Sequence, residues 1–102
     1  MAEFSIQGSL AITGTVLATG IKSAGGVLTK VIDLRFNNPA AYTVELYKYE
    51  AETAITTLIY NLSLSAGDTL TDNFSYALNP GDTITAFSNI VGTTYYAYGI
   101  NY

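Results

Sequence analysis

One phrase occurs twice in this chain, and it restricts what the chain can fold into more than any other feature. Leu64-Ser65-Ala66-Gly67-Asp68-Thr69-Leu70-Thr71 is followed by Leu78-Asn79-Pro80-Gly81-Asp82-Thr83-Ile84-Thr85. Each copy runs from an apolar residue through a two-residue bend to Gly-Asp, then into an alternation of Thr with an aliphatic. Glycine supplies the positive φ of a tight turn, and Asp bonds the backbone beside it. Thr-aliphatic-Thr has the period of a strand with one wet and one dry face. The phrase therefore says that one strand ends, the chain turns and another begins. Gly67, Asp68, Pro80, Gly81 and Asp82 read as structural turn residues, which removes two acidic residues from the pool available for chemistry.

The remaining strands follow from alternation. Ser9–Leu17 has strand composition, and Ala18–Gly26 is small and Gly-rich, a loop or weak edge. In Val27–Phe36, Leu28, Ile32, Leu34 and Phe36 fall on one face with Lys30. Asn37-Asn38-Pro39 ends that segment, because Pro lacks a donor and biases its predecessor to extended geometry. Tyr42–Glu50 places Val44 and Leu46 on one side and Thr43, Glu45, Tyr47 and Tyr49 on the other. Ala51–Ala54 is short enough for a hairpin turn. Ile55–Leu64 groups Leu58, Tyr60, Leu62 and Leu64. Thr69–Asn73, Thr83–Ser88 and Thr94–Tyr102 complete the set. The last puts Tyr95, Ala97, Gly99 and Asn101 opposite Tyr96, Tyr98, Ile100 and Tyr102. The expected fold is all-β, an antiparallel sandwich of seven to eight strands in either Ig-like or jelly-roll order. Residues 1–8 are expected to be an N-terminal arm or short strand, and 9–102 a single sandwich domain.

Composition narrows the function. Hydrophobic residues make up 49% of the 102 and charged residues only 12%, so part of the surface is expected to be covered by other protein. Four cations against eight acids give a net charge of −4, too few positive groups to track a phosphate backbone. No segment has the length of an apolar helical span or the pattern of a basic amphipathic helix. Neither nucleic acid nor membrane is an expected partner. Met1–Ser5 has no secretory pattern, which points to synthesis in a cytosol. The chain has no Cys, and no His to serve as general base or metal ligand.

The carboxylates offer little more. Glu45, Glu50 and Glu52 lie on or beside one hairpin, a solvated setting rather than a glycosidase pair. Asp68, Asp72 and Asp82, with Asn73 and Asn79, supply hard oxygens but no calcium-loop spacing. No catalytic residue, cofactor or metal is expected. The nine tyrosines are the remaining signal. Tyr has a large apolar body and a polar tip, and it serves cross-strand packing, protein interfaces and sugar platforms, in that order of expectation.

Residues 42–102 resemble the small β-sandwich structural proteins of tailed-phage virions. The resemblance is carried by the Tyr/Leu-rich strand Leu46–Tyr49, the turn Ala66-Gly67-Asp68, the turn Leu78–Asp82 and the aromatic terminal strand Tyr95–Tyr102. It implies a non-enzymatic virion protein, made in the host cytoplasm. Its specific form would be a capsid decoration (cement) protein that binds major capsid or other virion proteins and forms a homo-oligomer, with a trimer favoured. Under that reading the contact residues are Glu3, Phe4 and Ile6 of the arm, Tyr47, Tyr49 and the terminal Tyr102. The alternative is a receptor- or glycan-binding module of a head or tail fibre, with Tyr47, Tyr49 and Tyr95 as its platform, or a head–tail accessory component.

Overall fold

The structure is a computed structural model and describes residues 2–21 and 29–102. Every regular element among them is a β-strand: β1 (Ala2–Ser9), β2 (Thr15–Thr19), β3 (Thr29–Asn37), β4 (Tyr42–Glu50), β5 (Ile55–Leu64), β6 (Thr69–Asp72), β7 (Tyr76–Leu78), β8 (Thr83–Ser88) and β9 (Thr94–Asn101). They form two antiparallel sheets. The first, sheet A, runs β1-β9-β3-β6, with β7 also paired to β3. The second, sheet B, runs β2-β8-β4-β5. The chain thus pairs from its ends inward: β1 with β9, β2 with β8, β3 with β6 and β7, β4 with β5. This is the jelly-roll order, and it resolves the choice between the two expected sandwiches.

The core lies between the sheets. Val31, Leu34, Phe36, Leu78 and Ala97 enter from sheet A, and Leu17, Tyr42, Val44, Leu46, Ile84 and Ala86 from sheet B. Each fully buried aliphatic contributes about 1.5–3 kcal/mol of transfer free energy. Val44 and Leu46 are there because β4 alternates without interruption on that side. β9 behaves the same way, with Ala97 opposite Leu34 and Gly99 opposite Val31 on the inner face.

Five expectations are corrected. Ser9–Leu17 is not one strand: β1 ends at Ser9, the chain turns through Gly14 (φ 106°), and β2 begins at Thr15. Ala18 and Thr19 belong to β2 rather than to a loop, while the rest of that expected loop falls largely outside the described residues. In β3 the register with β9 slips between Val31 and Asp33, so Ile32 is an extra residue. That bulge turns Val31 inward beside Leu34 and Phe36, where strict alternation puts it on the opposite face. In β5 the register with β4 slips likewise: Leu46 pairs with Tyr60 and Tyr47 with Leu58. Ile59 is the extra residue, and Leu58 leaves the face of Tyr60 for the outer face beside Tyr47. The strands also number nine, because β1 is a full strand and β7 is a separate short one.

Turn chemistry holds the sandwich ends. Gly67 and Gly81 have φ of 80° and 91°. The buried Asp82 accepts from the Ala51 amide at 2.9 Å and the Asn79 amide at 3.1 Å, tying the β4–β5 hairpin to the β7–β8 turn. At the other end, buried Asn38 donates to Thr93 Oγ1 at 2.9 Å and to the Val91 carbonyl at 3.2 Å. Its own carbonyl accepts from the Ala40 amide at 2.9 Å, and Ser88 Oγ lies 2.7 Å from Thr93 Oγ1.

Candidate functional site: open edges and an aromatic hollow

A jelly roll of two open sheets has four edge strands, and each must deal with unpaired backbone donors and acceptors. Here the edges are treated unequally. β2 is five residues long and bulged between Val16 and Ala18. On the far side of sheet A, pairing to β3 is split between the four-residue β6 and the three-residue β7. Short, bulged and broken strands are poor templates. β1 is eight residues, mostly exposed, with Glu3 as its one charge. β5 is ten residues, ITTLIYNLSL, with no charge, no Pro and no Gly. Among the described residues, its bulge at Ile59 is its one protective feature. Ile55, Leu58, Ile59 and Leu62 on it are 57%, 49%, 37% and 42% exposed. That is a long apolar edge of the kind that attracts a further strand.

β5 is held in place by polar contacts across the sandwich. Tyr60 Oη donates to Asp72 Oδ2 at 2.9 Å, and Tyr76 Oη donates to the same oxygen at 2.7 Å. The Phe74 amide donates to Asp72 Oδ1 at 3.0 Å. Both phenols are pushed well above the usual tyrosine value, first by burial and then by their bonds to the carboxylate.

The outer face of sheet B carries the second feature. Glu45, Tyr47 and Tyr49 of β4, Thr56 of β5, and Thr85 and Phe87 of β8 line a hollow of about 400 Å³. Tyr47 and Phe87 meet edge to face, with centroids 5.5 Å apart and planes at 83°. Tyr47 Oη donates to Glu45 Oε2 at 2.9 Å, and Asn61 Nδ2 donates to Glu45 Oε1 at 3.3 Å. The bond to Glu45, more than burial, raises the Tyr47 phenol above its ordinary value and keeps it a donor.

The residues expected to make contacts do not form one patch. Glu3, Phe4 and Ile6 lie on β1, and Tyr102 follows β9, so these four belong to sheet A. Phe4 is half-buried against the core, whereas Ile6 is exposed. Glu3 accepts from Tyr98, whose phenol is raised by burial and by that bond. Lys30 Nζ lies 5.8 Å from the centroid of the Tyr102 ring. Tyr47 and Tyr49 lie on the outer face of sheet B. Tyr95 packs against the core from sheet A, so the three-tyrosine platform does not assemble. Phe87 was not singled out from the sequence. Only the β4–β8 pairing, Glu45 with Phe87 and Tyr47 with Thr85, brings it to Glu45 and the tyrosines.

No protein-family model matches the chain, and no curated protein does. Solved structures do share its fold. A chain of the Bacillus endospore appendages, described as a family of disulfide-linked pili, superposes with a TM-score of 0.57 at 14% identity, over 99% of this chain and 84% of that one. A chain of the T13 viral particle of infectious bursal disease virus gives 0.57 at 12% identity, over 98% of this chain and 31% of that one. A chain of the Gx strain of that virus gives 0.50 at 13% identity, over 97% and 31%. This chain thus spans about a third of the viral chains. At such identities the likeness is one of fold.

Proposed function

We propose that this protein is a non-enzymatic structural subunit of a larger protein assembly, joined to its neighbours through its open sheet edges. The observation that carries the reading is β5, a ten-residue uncharged edge strand that exposes four large aliphatics. Pairing it with a strand of another copy satisfies its backbone groups and removes apolar surface from water. With a net charge of −4, β5 is a place where two copies meet without like-charge repulsion. The chain has no Cys, so it supplies no disulfide to such joints, unlike the disulfide-linked pili that share its fold.

The setting that fits best is a virion, and within it a capsid decoration protein made in the host cytoplasm. Support comes from the resemblance of residues 42–102 to tailed-phage virion proteins and from the fold shared with a chain of a viral particle. A decoration protein gains from many weak contacts repeated over a lattice. The test is to mix the purified chain with assembled capsid shells that lack it, and separately with unassembled capsid subunits. Retention on shells alone supports decoration. Retention on neither, by a chain that still self-associates, leaves the assembly reading and removes the capsid.

A further inference from the structure

The hollow on the outer face of sheet B is shaped and charged for one class of guest. From its lining we infer that it receives a basic side chain, lysine or arginine, presented by a partner protein. Three aromatic rings, Tyr47, Tyr49 and Phe87, surround it, and Glu45 is the only ionisable carboxylate among its lining residues. Aromatic faces and a carboxylate both attract a cation, the rings through their quadrupole and the carboxylate through its charge. No cation among the described residues lines the hollow. Among the described residues the one carboxylate–cation pair within 4.0 Å is Arg35 with Asp33, on the other sheet.

The geometry favours a cation over a sugar. Stacking a pyranose needs a flat ring face, whereas Tyr47 and Phe87 stand at 83° and enclose a corner. The carboxylate is held in advance: Tyr47 and Asn61 each donate to one of its oxygens, which restrains it and leaves lone pairs free. Phe87 is also closely flanked by Gly14. A Cβ on Gly14 would stand 2.6 Å from Phe87 Cε2, and the φ of 106° there already favours glycine, so a larger residue would push on this wall. A volume of about 400 Å³ holds an alkylammonium or a guanidinium with its stem.

The test is a titration of the full chain with N-acetyl-lysine methylamide, and with its arginine counterpart, followed through the ring resonances of Tyr47, Tyr49 and Phe87. N-acetyl-norleucine methylamide serves as the uncharged control and methyl glucoside as the sugar control. The expected result is saturable shifts with a Kd of order millimolar for the lysine amide or its arginine counterpart and none for the controls. E45Q keeps the shape and acceptor of residue 45 and removes its charge, and is expected to weaken binding by about three- to tenfold. Y49L, with the thermal midpoint checked, is expected to weaken it comparably. Equal response to the norleucine amide, no saturable response to the lysine amide or to its arginine counterpart, a response to the glucoside alone, or unchanged affinity in E45Q would each overturn the inference. None of these outcomes bears on the β5 edge, so this reading and the assembly reading fail separately.

Discussion

Tyr60 on β5 and Asp72 on β6 join the two sheets through a 2.9 Å hydrogen bond from the phenol to the carboxylate. β5 is an edge strand, paired on one side only, and much of its surface faces water. The bond to Asp72 therefore does for β5 what a second neighbouring strand would do: it fixes where the edge sits. An edge that presents itself to a partner must be held in one place first, because binding is weakened by whatever ordering remains to be done.

Replacing Asp72 with Ala is expected to be costly. It leaves the Tyr60 and Tyr76 phenols and the Phe74 amide without their acceptor in a half-buried setting. The expected loss is about 2–4 kcal/mol of unfolding free energy by urea titration. Asp72→Asn keeps an acceptor oxygen and is expected to lose less. Equal stability of Asp72→Ala and the parent would show that the clasp contributes nothing.

The same clasp predicts an alkaline limit. Tyr60 and Tyr76 have phenols raised above the ordinary value of about 10 that they regain on unfolding. Between those values the unfolded chain ionises while the folded one does not. Their contribution is therefore complete below about pH 10 and is lost as pH rises through the higher folded-state values. Stability measured from pH 7 to 12 is expected to be level at first and to fall beyond about pH 10. Tyr60→Phe is expected to make that fall shallower. An unchanged slope in the variant would assign the alkaline loss to other groups.

At the end of the sandwich that holds Asn38, Thr93 is fully buried with its hydroxyl between Asn38 and Ser88. Thr93→Val keeps the shape and removes the hydroxyl that both partners use. The expected cost is about 1–3 kcal/mol. A smaller loss than in an exposed Thr→Val control, such as Thr57→Val on β5, would contradict the role given to this network.

Much of the sandwich is legible in alternation alone. Val44 and Leu46 on β4 and Ala97 and Gly99 on β9 point inward as the period of two requires. Glu45, Tyr47 and Tyr49 share a face for the same reason, so half of the aromatic hollow can be read directly. The bulges at Ile32 and Ile59 cannot, because one extra residue in an apolar run leaves no local mark. They move Val31 into the core and Leu58 out of it. The jelly-roll order is likewise invisible locally, since it rests on pairings such as Ala2 with Asn101, which lie at opposite ends of the chain. Phe87 and Gly14 join the hollow only through such long-range pairing. In the sequence Asp72 offers a hard oxygen of the kind calcium takes, yet its carboxylate is taken up by two phenols and an amide.

The central claim is that β5 is a joining edge, and solution mass measures it most directly. Light scattering across a concentration series is expected to give a mass above that of the 10.9 kDa chain, rising toward a closed oligomer. Leu58→Lys and Ile55→Lys place a charge on exposed positions of the edge, where the monomer itself has little to lose. Both are expected to return the mass to that of a monomer with the thermal midpoint of the fold kept. A parent chain that stays monomeric throughout, or oligomers untouched by both substitutions, would contradict the account.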